Sequence, residues 1–146
     1  MINKEQIKKL RDNAELAWAA YGYFNLVGKK FNDNDLKKTK IVRNPTITYA
    51  DVLDLTYKDY ETIDSTFFNT ENLKGDFSPL QSKRFFEKYD LLKHCPNTES
   101  GFSATLFSEK RKQKDTESKA IKYTNKYGYI NYILAIISTE SKKVAQ

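Results

Sequence analysis

A chain of 146 residues has room for one domain with its own core, whereas two would leave about 70 residues each. Only 39% of it is hydrophobic, but Tyr 10, Phe 9 and Trp 1 supply ring surface for a packed interior, which argues against disorder along the whole chain. One cysteine (Cys95) and one histidine (His94) exclude an internal disulfide, thiolate clusters and multi-histidine metal sites, and the net charge of +6 favours anionic partners.

In chain order, Ile7, Leu10, Ala14, Ala17, Tyr21 and Phe24 recur at spacings of three and four, which predicts a helix with one apolar face that ends by Gly28. Trp18 flanks that face and is expected in the core. The stretch 32–44 is polar and reads as a loop. Thr48 is a capping residue for a short helix reaching Leu55. Residues 57–68 match neither period. Ser78-Pro79 is a strong helix start, with Ser as the cap and Pro at the first helical position, and the helix should run to about Asp90 with Leu80, Phe85, Phe86 and Tyr89 as its stripe. Leu91–Cys95 is a candidate strand. Phe102, Ala104 and Leu106 alternate as in a strand, and 127–137 (YGYINYILAII) is the richest β run, apolar at nearly every residue near its end and so expected to be buried on both faces. Between these strands, 108–126 is polar and reads as a basic insertion in the hairpin connection. The expectation is a single α+β domain over 1–146, mainly helical over 1–90. Over 91–146 an antiparallel strand pair follows.

Charge is uneven. Seven basic residues stand against two acidic ones over 110–126, and six against two over 29–43. Neither stretch is interleaved with stacking aromatics as in single-strand binders, so nucleic acid is an unlikely partner on this reading. The ten residues of Tyr129–Ser138 are the longest uncharged apolar run, far short of the ~20 of a membrane-spanning helix. The start, MINKEQIKKL, lacks the apolar core of a signal peptide, so a soluble, cytoplasmic protein is expected.

No GxSxG, GxGxxG, P-loop or HExxH occurs, and no cofactor is expected. Ser103 lacks the second glycine of a nucleophile elbow. His94 and Cys95 are adjacent, so on a strand they point to opposite faces and cannot form a catalytic pair. Asp51 and Asp54 would share one face of a helix, as an acid–base or metal pair could, although a solvated face is the commoner use of that spacing.

Tyr132-Ile-Leu-Ala-Ile-Ile-Ser-Thr-Glu140 resembles the class 3 lipase segment that reads apolar-apolar-A-F-R-G-T-E. Leu16-Ala-Trp-Ala-Ala-Tyr-Gly-Tyr23, Thr46–Leu53, Leu73–Leu80 and Asn97–Phe107 are similar, in the same order, to segments of bacterial lipase-like proteins. The resemblance implies the front part of an α/β-hydrolase sheet, with Thr139 as an oxyanion donor; Ile137 and Ser138 stand where the family has Arg and Gly. The family's nucleophile, Asp and His follow this strand, and none can be placed among these residues. The resemblance thus implies a truncated or split ester hydrolase, inactive alone, whose partner is a second polypeptide carrying the catalytic half or a second copy joined through the strand edge. The alternative is a small basic binding module for an anionic partner.

Overall fold

The computed structural model describes residues 3–40, 42–66, 71–96 and 101–138. Helix α1 (Lys4–Ala19) opens on a reciprocal capping box: Asn3 Oδ1 accepts from the Gln6 N–H, and Gln6 Oε1 accepts from the Asn3 N–H. It stops at Ala19, earlier than the spacing predicts, and Phe24 sits in a separate 3-10 turn, Phe24–Leu26. Its buried side is Leu16 and Ala19, not the predicted stripe, because the two alanines at 19 and 20 let the chain pack closely there. Ile7, Leu10, Ala14, Ala17 and Tyr21 face outward. Trp18 is half exposed yet touches the core through an edge-to-face contact with Phe77 at 5.6 Å.

The stretch expected as a loop contains a one-turn helix, α2 (Asp33–Lys37), because Asn32 Oδ1 caps the Asn34 N–H. Helix α3 (Tyr49–Leu53) forms on Thr48 as expected. Asp51 completes its capping box and also takes both Nη atoms of Arg43, at 2.9 and 2.6 Å. The Arg43 guanidinium stacks over Phe31 and Tyr57, and its hydrogen bonds to Asp51 hold it further above its already high pKa. Residues 55–66 and 71–77 are organised by isolated bridges, such as Phe31 with Thr62 and Glu61 with Asn72, rather than by long elements. Gly75 is required where the latter segment crosses α3, since a Cβ there would collide with the Leu53 carbonyl group.

Helix α4 (Pro79–Lys88) starts on the Ser78 cap and ends two residues sooner than predicted. Tyr89 and Asp90 already belong to β1 (Tyr89–Cys95), which pairs antiparallel with β2 (Phe102–Lys114), and β2 pairs antiparallel with β3 (Ile121–Ser138). The fold is therefore α+β, helices first, with a three-stranded antiparallel sheet of order β1-β2-β3 rather than a bare pair. The core lies between helices and sheet: Phe85 and Phe107 meet edge to face at 5.5 Å, with Phe31, Ile47, Val52, Leu73 and Phe77 fully buried around them.

The expected insertion over 108–126 is the largest correction. Both strands continue through it as a ladder that pairs Arg111 to Lys114 with Thr124 to Ile121, closed by the turn at 115–120. A mostly polar stretch can still pair through its backbone, since ladder bonds need no apolar side chains. At its base β3 bulges: Lys110 faces Tyr129 and Arg111 faces Thr124, leaving Asn125–Gly128 between. Gly128, at φ +85, makes that detour possible.

Candidate functional site

Strand β3 is a sheet edge, with β2 on one side and no strand on the other among the described residues. Every second residue, Ile133, Ala135 and Ile137, packs against the core. The alternate set, Tyr132, Leu134 and Ile136, is exposed at 62%, 59% and 61%. On that outer face the ladder places Leu134 opposite Leu106 and Ile136 opposite Ala104, with Phe102 beyond them. The alternation predicted at Phe102, Ala104 and Leu106 is thus real, but the core takes the other side of β2, Thr105 and Phe107.

On the core side, α1 runs beside this edge. Asn13, Leu16, Ala17, Ala20 and Tyr21 form one wall and residues 133–137 the other wall of an open groove of ≈ 400 Å³. Three features meet here: an open backbone edge, an uncovered apolar sheet face and the outward stripe of α1. An edge strand of this kind presents unpaired N–H and C=O groups to any further strand. Native edges are usually short, charged or covered, and residues 132–137 (YILAII) carry no charge.

The residues singled out by chemistry do not assemble into a catalytic group. His94 Nδ1 lies 2.7 Å from Thr105 Oγ1, and the ring packs edge-on to Phe24 at 5.6 Å. Burial holds its pKa below the ordinary histidine value. Cys95, next in the strand, is exposed. Ser103 sits inside β2 opposite Ile137, not on a turn. Asp51 is committed to Arg43 and its helix cap, and Asp54 Oδ1 accepts from the Thr56 N–H, so the pair serves local structure. Thr139 lies outside the described residues. Among the described residues no group of three metal-ligating side chains comes together, and no helix is long and apolar enough to cross a membrane.

Two polar clusters escaped the sequence reading. Asp90 takes the Tyr129 hydroxyl at 2.6 Å, the Asn125 amide at 3.1 Å and the Lys110 ammonium at 3.1 Å. Partial burial works against its charge, but these three donors prevail and hold its pKa below the usual carboxylate range. Lys88 pairs with Asp12 at 3.0 Å and lies over the Tyr89 ring. Burial again opposes the charge, and the partners outweigh it, raising the lysine's pKa. Asp90 reaches Asn125 and Tyr129, and Lys88 reaches Asp12, across 35 or more residues, so no local motif could reveal these contacts. No protein-family model, curated protein or solved structure matches the chain.

Proposed function

We propose that this chain is the front, non-catalytic portion of a lipase-like ester hydrolase, and that β3 receives the remaining strands of the sheet on its free edge. The observation that supports this reading is the edge itself: the uncharged stretch 132–137 of β3, apolar on both faces, has the composition of a central strand but the position of an outer one. A strand added there would satisfy the open backbone groups, and helices laid over Phe102, Leu134 and Ile136 would remove their apolar surface from water. In this reading Thr139 donates its N–H and hydroxyl to the oxyanion, while nucleophile, Asp and His come from the added portion.

The test has two steps. The source DNA is read for several hundred bases past codon 146 in all three forward frames, and any portion encoding GxSxG followed by Asp and His is joined to, or co-expressed with, this chain. Hydrolysis of a short-chain p-nitrophenyl ester is expected from the joined protein and not from the 146 residues alone. Unrelated sequence beyond codon 146, together with a monodisperse monomer, would overturn the proposal. So would hydrolysis by the chain alone that Ser103→Ala or Cys95→Ala abolishes.

A further inference from the structure

The distal half of the β2–β3 hairpin carries most of the molecule's charge. Residues 110–126 hold seven basic side chains and two acidic ones, a net +5 of the chain's +6. In the other basic stretch half of the six cations are neutralised in place: Lys29 pairs with Glu71, Lys38 with Asp35 and Arg43 with Asp51. On the ribbon only Lys110 has a carboxylate partner, Asp90. Arg111, Lys112, Lys114, Lys119, Lys122 and Lys126 have none among the described residues.

The ladder also fixes where these cations point. Lys112 and Lys114 share one face with Tyr123 and Ile121, while Arg111 and Gln113 share the opposite face with Thr124 and Lys122. Positive charge therefore stands on both faces of a two-stranded ribbon. A flat anionic surface, such as a bilayer, can meet only one of them. A groove between two phosphate backbones meets both.

We infer that this ribbon is an arm that enters the major groove of duplex DNA. That groove is about 12 Å wide and 8.5 Å deep and admits a two-stranded ribbon. The four-residue ladder reaches about 13 Å at 3.3 Å per residue, enough to span the depth. The two acids lie in the tip, where base edges and not phosphates would face them, and Asp115 already accepts from the Glu117 N–H and the Ser118 hydroxyl. One tyrosine, Tyr123, stands among these cations rather than a row of stacking rings, which counts against single strands and not against a duplex held through its phosphates. The ribbon's charge is independent of whatever covers the β3 edge, so a failed ester assay would leave this inference standing.

The experiment is fluorescence anisotropy of the full chain with a labelled 20-base-pair duplex between 50 and 200 mM salt. Four phosphate contacts predict a log–log slope of about −3.6, or about 150-fold weaker binding across that range. Arg111→Gln/Lys122→Gln and Lys112→Gln/Lys114→Gln should each lower the slope by about two, because each pair serves one groove wall. A control with equal charge loss, Lys8→Gln/Lys9→Gln, should keep the slope, and circular dichroism confirms that every variant folds. Equal losses in the control would reduce the effect to net charge and overturn the proposal. A slope shallower than about −1, tighter binding to the matching single strand, or binding to phosphatidylserine vesicles with only one face required would overturn it as well.

Discussion

Strands β2 and β3 run side by side for their whole length, yet the two halves of their hairpin live in different surroundings. In the near half, Phe107 and Ile133 face the core, and the ladder is sealed from water on one side. In the far half, residues 111–114 and 121–122 are all exposed, and no buried side chain supports the pairing. Backbone geometry is the same in both; what differs is the source of stability. The near half shares the global stability of the domain, while the far half depends on its turn and on the polar anchor at Asp90. A junction between the two is therefore needed, and the bulge at Asn125–Gly128 with its Asp90 contacts is placed there.

The difference can be broken first where it is largest. Phe107→Ala should cost about 3–5 kcal/mol, since a fully buried ring is replaced by a cavity among Phe24 and Phe85. Ile121→Ala, the matched truncation of a 63% exposed residue in the far half, should change stability by less than about 0.5 kcal/mol. Urea unfolding of both variants checks the pair, and comparable losses would mean that the ribbon packs against something in solution.

The anchor comes next. Asp90→Ala takes the acceptor from the Tyr129 hydroxyl and the carboxylate from Lys110, which keeps the Phe86 carbonyl, and should cost about 1–3 kcal/mol. Hydrogen exchange should speed up over 111–124 far more than over 104–107, because only the far half loses its tie to the body. The carboxylate's lowered pKa gives a sign as well. The stabilisation is present above the ordinary carboxylate pKa and is lost as pH falls through the lower folded value, so the penalty of Asp90→Ala should shrink in acid.

What the sequence made legible follows the same division. Caps are local and were readable: Ser78-Pro79 and Thr48 start helices where expected. Strand character at Phe102–Leu106 and Tyr127–Ile137 was readable for the same reason. Which face of an element becomes the core is a tertiary choice, and there periodicity misled. The stripe through Ile7, Leu10 and Ala17 and the alternation of Phe102 with Leu106 are both genuine, yet both point away from the interior. A pattern can report an apolar face without saying what lies against it. The ribbon was missed because its strands are dominated by charge, and its register, Arg111 with Thr124, is offset from that of the near half by a bulge that no local pattern announces. The candidate edge was legible as a strand, but the expected burial on both faces is not found, since Tyr132, Leu134 and Ile136 are exposed; strand order, which decides this, is not written in any one segment.

A smaller effect tests the near half at its polar contact. His94→Gln gives up the bond to Thr105 and should cost about 1 kcal/mol at pH 7.5. Because burial lowers the imidazole's pKa, the folded state takes up its proton later than the unfolded chain does. Stability is then full above the ordinary histidine pKa and declines as pH falls through it toward the folded value. The chain has one histidine, so the urea midpoint should drop between pH 7 and pH 5 in the parent and stay flatter in the variant.

The smallest energetic change addresses the edge. Leu134→Lys places a charge on a side chain that is 59% exposed on the outer face of β3, so stability should move by no more than about 0.5 kcal/mol. Association should move much more. An uncharged edge beside an uncovered apolar face offers both backbone partners and apolar area to a second copy, and a lysine there imposes desolvation on any strand that pairs or packs across it. Sedimentation velocity over a concentration series should show the parent chain self-associating and the variant remaining a monomer, with matching urea midpoints. A parent chain that stays monomeric at the highest concentration would leave the edge without any attraction for strands, and the proposed joining of a catalytic portion at β3 would fall with it.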